Sequence, residues 1–118
     1  MLIRKFNLRK ANFQQLPEVA KSKILSWETK KDPNSVFTAT PYRVGSHYVT
    51  LYAAYDKTPT ETDAKTLQEL QLDVFDFEGN HLWHKSLSKQ DLENAPVLLK
   101  YSDIGRTKHM LQDCPFKL

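Results

Sequence analysis

The segment FDFEGNHLWHK, from Phe75 to Lys85, carries the residues of this chain that are best suited to chemistry. His81 and His84 stand three positions apart, and acidic residues precede them at Asp76 and Glu78. Imidazole nitrogens and carboxylate oxygens bind transition metals and also serve as acids and bases in catalysis. Either chemistry at the histidine pair requires both rings on one side of the element that carries them.

The element predicted here is a β-hairpin. Asp76 and Gly79 fit the first and fourth positions of a type I turn with a bulge at the glycine. That turn joins a strand over 67–75 to one over 80–87, and a three-residue loop sets Val74 opposite Leu82. Leu70, Leu72, Val74 and Leu82 then share the core face.

Strand parity separates the two histidines. Side chains alternate along a regular strand, so His81 and His84 are predicted to point to opposite faces. Aligning the turn with a calcium loop also fails, because Val74 and Lys85 fall where carboxylates are needed. We therefore predict no metal, no cofactor and no catalytic residue. His81 is expected on a surface with Asp73, Phe75 and Trp83, and His84 toward the core side.

Helical spacing is clearest in the segment from Leu16 to Lys31. Its apolar stripe consists of Leu16, Val19 or Ala20, Ile24 and Trp27. Pro17 suits a first helical turn, and Asp32-Pro33 stops the helix. A first strand is predicted over 2–8 and a hairpin over 36–55 with its turn at Gly45-Ser46. Pro41 places strand 36–43 at a sheet edge. An exposed loop follows at 56–66.

The C-terminal third is less regular. Ser88 and Asp91 fit a helix-capping box. The residues VLLKY, 97–101, are predicted as a last strand, and 102–118 as either a short helix or a docked irregular segment. The whole chain, 1–118, is then a single α+β domain. It has an antiparallel sheet of about four to six strands and one main N-terminal helix packed on it.

Composition narrows the class of protein. The chain has 118 residues, 40% of them hydrophobic and 26% charged, as in ordinary globular domains. No apolar run approaches the ~20 residues of a membrane span, so no membrane partner is expected. The single cysteine, Cys114, favours a reducing, cytoplasmic location.

Charge is polarised along the chain. Residues 1–31 carry eight basic groups against two acidic ones, and residues 56–80 carry seven acidic groups against two lysines. The basic segment suits DNA or RNA, because phosphates attract clustered cations. The residues concerned are Arg4, Lys5, Arg9, Lys10, Lys21, Lys23, Lys30 and Lys31.

The function that the sequence favours is that of a non-catalytic protein-binding module. Small inhibitors, immunity proteins, antitoxins and phage-encoded antagonists work in this way, by occluding a partner protein. The predicted contact set combines aromatic anchors with a charged rim. Its members are Tyr48, Tyr52, Asp73, Phe75, Asp76, Glu78, His81 and Trp83. Nucleic-acid binding is the alternative.

An enzyme is disfavoured, because no phosphate-binding glycine loop and no assembled catalytic set is evident in the sequence. The enzyme class that the sequence comes closest to is a metal-independent ribonuclease. It would pair His81 or His47 with Lys85 or Arg43 on a sheet surface.

Overall fold

The computed structural model describes residues 3–57 and 67–118. Within them, five strands form one antiparallel sheet whose spatial order follows the sequence: β1 Arg9–Lys10, β2 Ser35–Val44, β3 His47–Asp56, β4 Leu67–Asp76 and β5 His81–Leu87. The helices are α1 Glu18–Glu28, α2 Lys89–Glu93 and α3 Asp103–Leu111, with short 3-10 turns at Phe13–Gln15 and Pro96–Leu99. The predicted α+β class, with an antiparallel sheet and a principal N-terminal helix, is confirmed.

The sheet is the middle layer of three. On one face, α1 buries Ala20, Ile24 and Trp27 against Tyr52 and Phe75. On the other face, residues of α2, α3 and the 3-10 turn between them pack against the aliphatic side chains of β3 and β4. These residues are Leu92, Leu98, Met110 and Leu111. Because both faces are covered, β3 is buried without interruption from Val49 to Ala54.

Helix α1 follows the predicted stripe. Ala20, Ile24 and Trp27 are at most 6% exposed, whereas Val19 is 41% exposed, so the stripe runs through Ala20. Burying an aliphatic side chain such as Ile24 contributes roughly 1.5–3 kcal/mol. The Trp27 indole N–H donates to the Ala53 carbonyl at 3.2 Å, which leaves no buried donor unpaired at this ring.

Both predicted hairpin turns are present. Gly45 has φ +60° in a two-residue loop that sets Val44 opposite His47. Gly79 has φ +92°, and its N–H donates to the Asp76 carbonyl at 3.1 Å. The positive φ at both positions favours glycine over residues with a side chain. The capping box at Ser88 and Asp91 is also formed.

Two predicted segments differ from the structure. Over the described part of 2–8 there is no strand, and the first strand is only Arg9–Lys10. Segment 97–101 is a 3-10 turn rather than a last strand, because Pro96 begins a tight helical turn. Of the two alternatives predicted for 102–118, the short helix is the one present: helix α3, capped by Ser102. The predicted loop at 56–66 lies, beyond Lys57, outside the described residues.

The first residues of the chain are attached to the last ones. The Arg4 guanidinium donates to the carbonyls of Cys114 at 2.5 Å and Phe116 at 2.8 Å. The Gln112 side-chain amide donates to the Arg4 carbonyl and accepts from its N–H. These bonds hold residue 4 beside the end of α3. Among the described residues, no helix has the length and apolarity needed to cross a membrane.

Candidate functional site

A β-bulge in β5 overturns the prediction that His81 and His84 face opposite sides. Asp73 pairs with His84, Val74 with Trp83 and Phe75 with His81, so Leu82 is an extra residue without a partner on β4. The extra residue restores parity between the histidines, and both rings lie on the α1 face of the sheet. The hairpin turn itself is as predicted.

The bulge also exchanges the positions of Leu82 and Trp83 between the two faces of the sheet. Trp83, not Leu82, packs against the core on the α2–α3 face, while Leu82 is 41% exposed. Two physical reasons favour this register over the regular one. A larger ring enters the core, and the buried carboxylate of Asp73 gains a second imidazole partner, His84, which the regular register would turn to the opposite face.

Cross-strand rows on the α1 face position the site. Tyr48, Phe75 and His81 form one row across β3, β4 and β5. The next rows are Thr50, Asp73 and His84, and then Tyr52, Gln71 and Ser86. Neighbours within a row and between adjacent rows lie within side-chain contact distance. Strand β4, the middle one of these three, therefore holds Asp73 at the centre of the three rows.

Asp73 is the centre of the candidate site. Its side chain is 3% exposed, and its Oδ1 lies 2.7 Å from His81 Nε2 and 2.9 Å from His84 Nδ1. Lys23 of α1 brings its Nζ to 3.8 Å from the other carboxylate oxygen. An ionised carboxylate is stable at such burial only with charged or hydrogen-bonding partners, and these three residues supply them.

The surroundings keep Asp73 ionised. Burial alone would raise the pKa of this carboxyl, but the hydrogen bond from His84, the nearby hydroxyl of Tyr52 and the hydrogen bond from His81, aided by the charge of Lys23, hold the pKa below its ordinary value. The same neighbourhood acts oppositely on Tyr52. Burial and the negative charge of Asp73 raise the pKa of that phenol well above its ordinary value, so its hydroxyl keeps its proton.

The Tyr52 hydroxyl is incompletely satisfied. It lies near enough to Asp73 to influence its ionisation, yet it makes no hydrogen bond of regular geometry with any described residue. Tyr52 is 4% exposed and lines a pocket of about 170 Å³ between α1 and the sheet. The other lining residues are Lys23, Ser26, Trp27, Lys30, Gln71, Asp73 and His84.

A second contact fixes the orientation of His84. Its Nε2 lies 2.9 Å from the Ser86 hydroxyl, while its Nδ1 faces Asp73. A serine hydroxyl both donates and accepts, so Ser86 satisfies either tautomer of the ring. A metal ion can therefore replace the proton on His84 Nδ1 while Nε2 keeps its hydrogen bond to Ser86.

The three groups fit a metal ion. One ligand atom each of Asp73, His81 and His84 lies within 4.8 Å of the others. Bonds of about 2.0–2.1 Å in a tetrahedral arrangement separate ligand atoms by roughly 3.3 Å. The two imidazoles are 36% and 39% exposed, so modest ring rotations can open the contacts to that spacing. The sequence-based prediction of no metal site depended on strand parity, and the bulge removes that basis.

The predicted protein-binding residues are dispersed. Tyr52 and Phe75 are 4% and 0% exposed, so the expectation that they lie on an open surface is wrong, because α1 covers this face. Trp83 lies on the opposite face. Tyr48 instead contacts Phe77, a residue that the sequence analysis missed, in a tilted ring pair with centroids 5.0 Å apart.

The acidic members of that set have different surroundings. Glu78 is exposed, whereas Asp76 accepts hydrogen bonds from the backbone N–H and side-chain amide of Asn80, both at 2.9 Å. Asp73 is buried in the site already described. Binding of a partner protein stays a prediction.

The basic residues proposed for nucleic acid are partly engaged within the chain. Arg4 binds the carbonyls near the C-terminal end, Lys21 pairs with Glu18 at 3.3 Å, and Lys23 faces Asp73. Lys30 lies over the Trp27 ring at 4.3 Å. Arg9 and Lys10 form β1, and Lys5 and Lys31 are exposed. Nucleic-acid binding also stays a prediction.

The ribonuclease pairing of His81 with Lys85 is not formed. Lys85 pairs with Leu72 on the α2–α3 face, and its Nζ lies 2.9 Å from Asp113. Sequence reasoning also missed Lys23 and Ser86 as neighbours of the histidines. Lys23 comes from a distant segment, whereas the spacing of Ser86 two residues after His84 was a usable signal, since such residues share a strand face.

Comparison of the chain with protein-family models, curated proteins and solved structures finds no match. The geometry of the site is therefore the basis for the functional assignment below.

Proposed function

We propose that this protein binds a divalent first-row transition-metal ion through Asp73, His81 and His84. The observation that carries the proposal is the convergence of two imidazole nitrogens on one oxygen of a buried carboxylate, at 2.7 and 2.9 Å. Two nitrogen donors and one oxygen donor suit Zn²⁺, Co²⁺, Ni²⁺ or Cu²⁺ better than Mg²⁺ or Ca²⁺, which prefer oxygen ligands.

Features around the three residues support this proposal. Ser86 can accept the Nε2 proton of His84 when Nδ1 binds a metal, an outer contact typical of histidine ligands. Three protein ligands leave at least one coordination position for water or another molecule. A metal in such an open site supplies a Lewis acid and an acidified water when bound.

Metal titration tests the proposal. Calorimetry with Zn²⁺ and visible absorption with Co²⁺ are expected to show one bound ion per chain. His81→Ala and His84→Ala should each weaken binding by about 100-fold, because loss of a ligand costs at least as much as the ~10–100-fold that outer partners cost. His109→Ala, at an exposed histidine whose ring lies beside Tyr101, is the matched control and should bind like the wild type.

Two results would contradict the proposal. One is the absence of Zn²⁺ and Co²⁺ binding by the folded protein, with circular dichroism as the check on folding. The other is an equal loss of affinity in His109→Ala and in the two site variants.

A second candidate function is hydrolysis with Ser86 as nucleophile. Ser86, His84 and Asp73 are linked by two contacts of 2.9 Å in the order found in serine-hydrolase triads. Two observations make it weaker than metal binding. The lining of the pocket, so far as the described residues form it, includes His84 but not Ser86. His81 also occupies the carboxylate oxygen that His84 uses.

Fluorophosphonate labelling of the metal-free protein separates the two functions. Modification of Ser86 that disappears in His84→Ala, in a protein that binds no Zn²⁺, would favour hydrolysis. An unlabelled Ser86 in protein that binds Zn²⁺ leaves metal binding as the function.

A further inference from the structure

The pocket between α1 and the sheet adjoins the proposed metal position. Asp73 and His84 belong both to the ligand set and to the pocket wall, so a molecule in the pocket reaches the metal from one side. The pocket volume of about 170 Å³ is well above the roughly 10–15 Å³ that a single water molecule requires. This space is sufficient for a small group such as a phosphate or a carboxylate.

The residues that line the pocket include several hydrogen-bond donors. Lys23 and Lys30 contribute ammonium groups, and Ser26 and Tyr52 contribute hydroxyl groups. Helix α1 carries Lys23 and Ser26 three positions apart on one side, and Lys30 follows just beyond the end of the helix. Trp27 forms an apolar wall, and its ring holds the Lys30 ammonium at 4.3 Å. The side chains thus offer several donors to one acceptor group.

Tyr52 supplies the observation that points to a ligand. Its hydroxyl is buried and lacks a hydrogen-bond partner of regular geometry in the described part of the chain. A buried hydroxyl without a partner costs roughly as much as a lost hydrogen bond, so such groups are normally satisfied by protein, water or ligand. A phenol carries its proton near neutral pH, so this hydroxyl can donate to a bound acceptor.

Charge balance indicates the kind of ligand. Without a metal, the lining carries two ammonium groups and the one carboxylate of Asp73. A divalent ion on Asp73 adds two positive charges beside the same cavity. An anion is therefore attracted weakly by the metal-free pocket and strongly by the metal-loaded one.

We infer that the pocket binds a small oxyanion, a phosphate or carboxylate group, with one oxygen on the metal and others accepting from Lys23 and Tyr52. The inference rests on the proposed function for the metal contact. Metal and anion should bind cooperatively, because each raises the affinity for the other by the same factor.

Titration of the Co²⁺-loaded protein with inorganic phosphate, and separately with acetate, tests the inference. The visible Co²⁺ absorption should change as the anion enters the coordination sphere. The arm with the tighter binding identifies the ligand as a phosphoryl or a carboxylate group. Lys23→Met and Tyr52→Phe are expected to weaken anion binding by roughly tenfold or more, the usual effect of a lost hydrogen bond to a charged group.

Co²⁺ binding provides the internal control. Lys23 and Tyr52 are not metal ligands but lie beside the ligand Asp73, so the Co²⁺ affinity of each variant is measured first and anion affinities are compared at saturating Co²⁺. Lys31→Met, which removes an exposed lysine outside the pocket lining, should leave anion and metal binding unchanged.

The outcomes separate this inference from the proposed function. Co²⁺ binding without any response to phosphate or acetate overturns the oxyanion site and leaves the metal site standing. If Co²⁺ fails to bind, the metal proposal is overturned and the same titrations are made by calorimetry on the metal-free protein. Anion binding that is lost in Tyr52→Phe would then retain the pocket as an oxyanion site, and its absence would overturn it.

Discussion

At the scale of single residues, Asp73 has the greatest influence on the site. A carboxylate that is 3% exposed is ordinarily unfavourable, yet here it joins β4, β5 and α1 through His81, His84 and Lys23. The arrangement makes the ionised form of Asp73 part of the folded structure. Loss of that charge should affect both stability and metal binding.

Asp73→Asn is expected to lower the free energy of unfolding at neutral pH by about 1–3 kcal/mol, the range for hydrogen bonds to a charged group. It should also weaken Zn²⁺ binding, because an amide oxygen is a poorer ligand than a carboxylate. The pKa of Asp73 is held below its ordinary value in the folded state, so the unfolded chain takes up the proton first. The stabilisation is therefore present above the ordinary value, ~3.9, and is lost as pH falls through the folded pKa.

Urea denaturation of wild type and Asp73→Asn at pH 7 and near pH 3 measures this effect. The difference between the two proteins should shrink at the lower pH. Asp113→Asn, which removes a 62% exposed carboxylate paired with Lys85, is the control and should change stability by no more than ~1 kcal/mol. A difference for Asp73→Asn that stays constant with pH would contradict the role given to its charge.

At the scale of elements, the bulge in β5 decides which side chains meet. The sequence identifies the hairpin, its strands and its turn, because Asp76 and Gly79 meet local requirements of backbone geometry. It does not identify the bulge, because Leu82 is as suitable for a regular strand as for an extra position. Whether β5 takes the bulged or the regular register depends on hydrogen bonding to Asp73 and on the space available for Trp83. Both are set by tertiary contacts, which the local sequence does not show.

Deletion of Leu82 tests the bulge. It converts His-Leu-Trp-His into His-Trp-His, which on a regular strand keeps Trp83 on the core face and both histidines opposite it. We expect a folded protein, destabilised by no more than ~1 kcal/mol, that retains Zn²⁺ binding. Thermal denaturation and calorimetry provide the measurements.

The control deletion is Gln71, in β4, where the pairing with both neighbours is regular. Its loss reverses the faces of the adjoining residues, including Leu70, and should prevent folding. If the Leu82 deletion unfolds the protein to the same degree, then β5 has no bulge at that position.

At the scale of the whole molecule, the sheet separates two cores. The sequence predicts one covering layer, the helix at 16–31, because that segment has an apolar stripe over three turns, whereas the buried side of α3 includes the polar residues Arg106 and Thr107. The second layer was missed because α2, the 3-10 turn and α3 are short, and each obtains its stability from packing on the sheet rather than from local pattern. Exposed aromatic strands were consequently expected where the structure has buried ones.

Each core contains a tyrosine whose ionisation is suppressed. Burial, followed by the charge of Asp103, raises the pKa of Tyr42 to about 12, and burial raises that of Tyr52 further. Both phenols favour the folded state while neutral. Their stabilisation is complete below the ordinary tyrosine pKa, ~10, and is lost as pH rises through the folded values.

Absorbance at 295 nm, recorded as pH is raised, tests whether the two cores behave as described. Tyr42 and Tyr52, two of the five tyrosines, should ionise late and together with unfolding. Tyr42→Phe should reduce the loss of stability between pH 10 and 12, whereas Tyr101→Phe, at a 39% exposed ring, should not. Simultaneous ionisation of all five near pH 10 in the folded protein would contradict the enclosed cores.

The attachment of Arg4 to the carbonyls of Cys114 and Phe116 gives the molecule a built-in chemical reporter. Cys114 is the single cysteine of the chain and is 4% exposed, so a thiol reagent reaches it only when the surrounding segment moves away. The rate of Cys114 modification thus measures how often Arg4 and the segment 112–116 separate. Comparing that rate with the rate of global unfolding shows whether these contacts break alone or only when the whole protein unfolds.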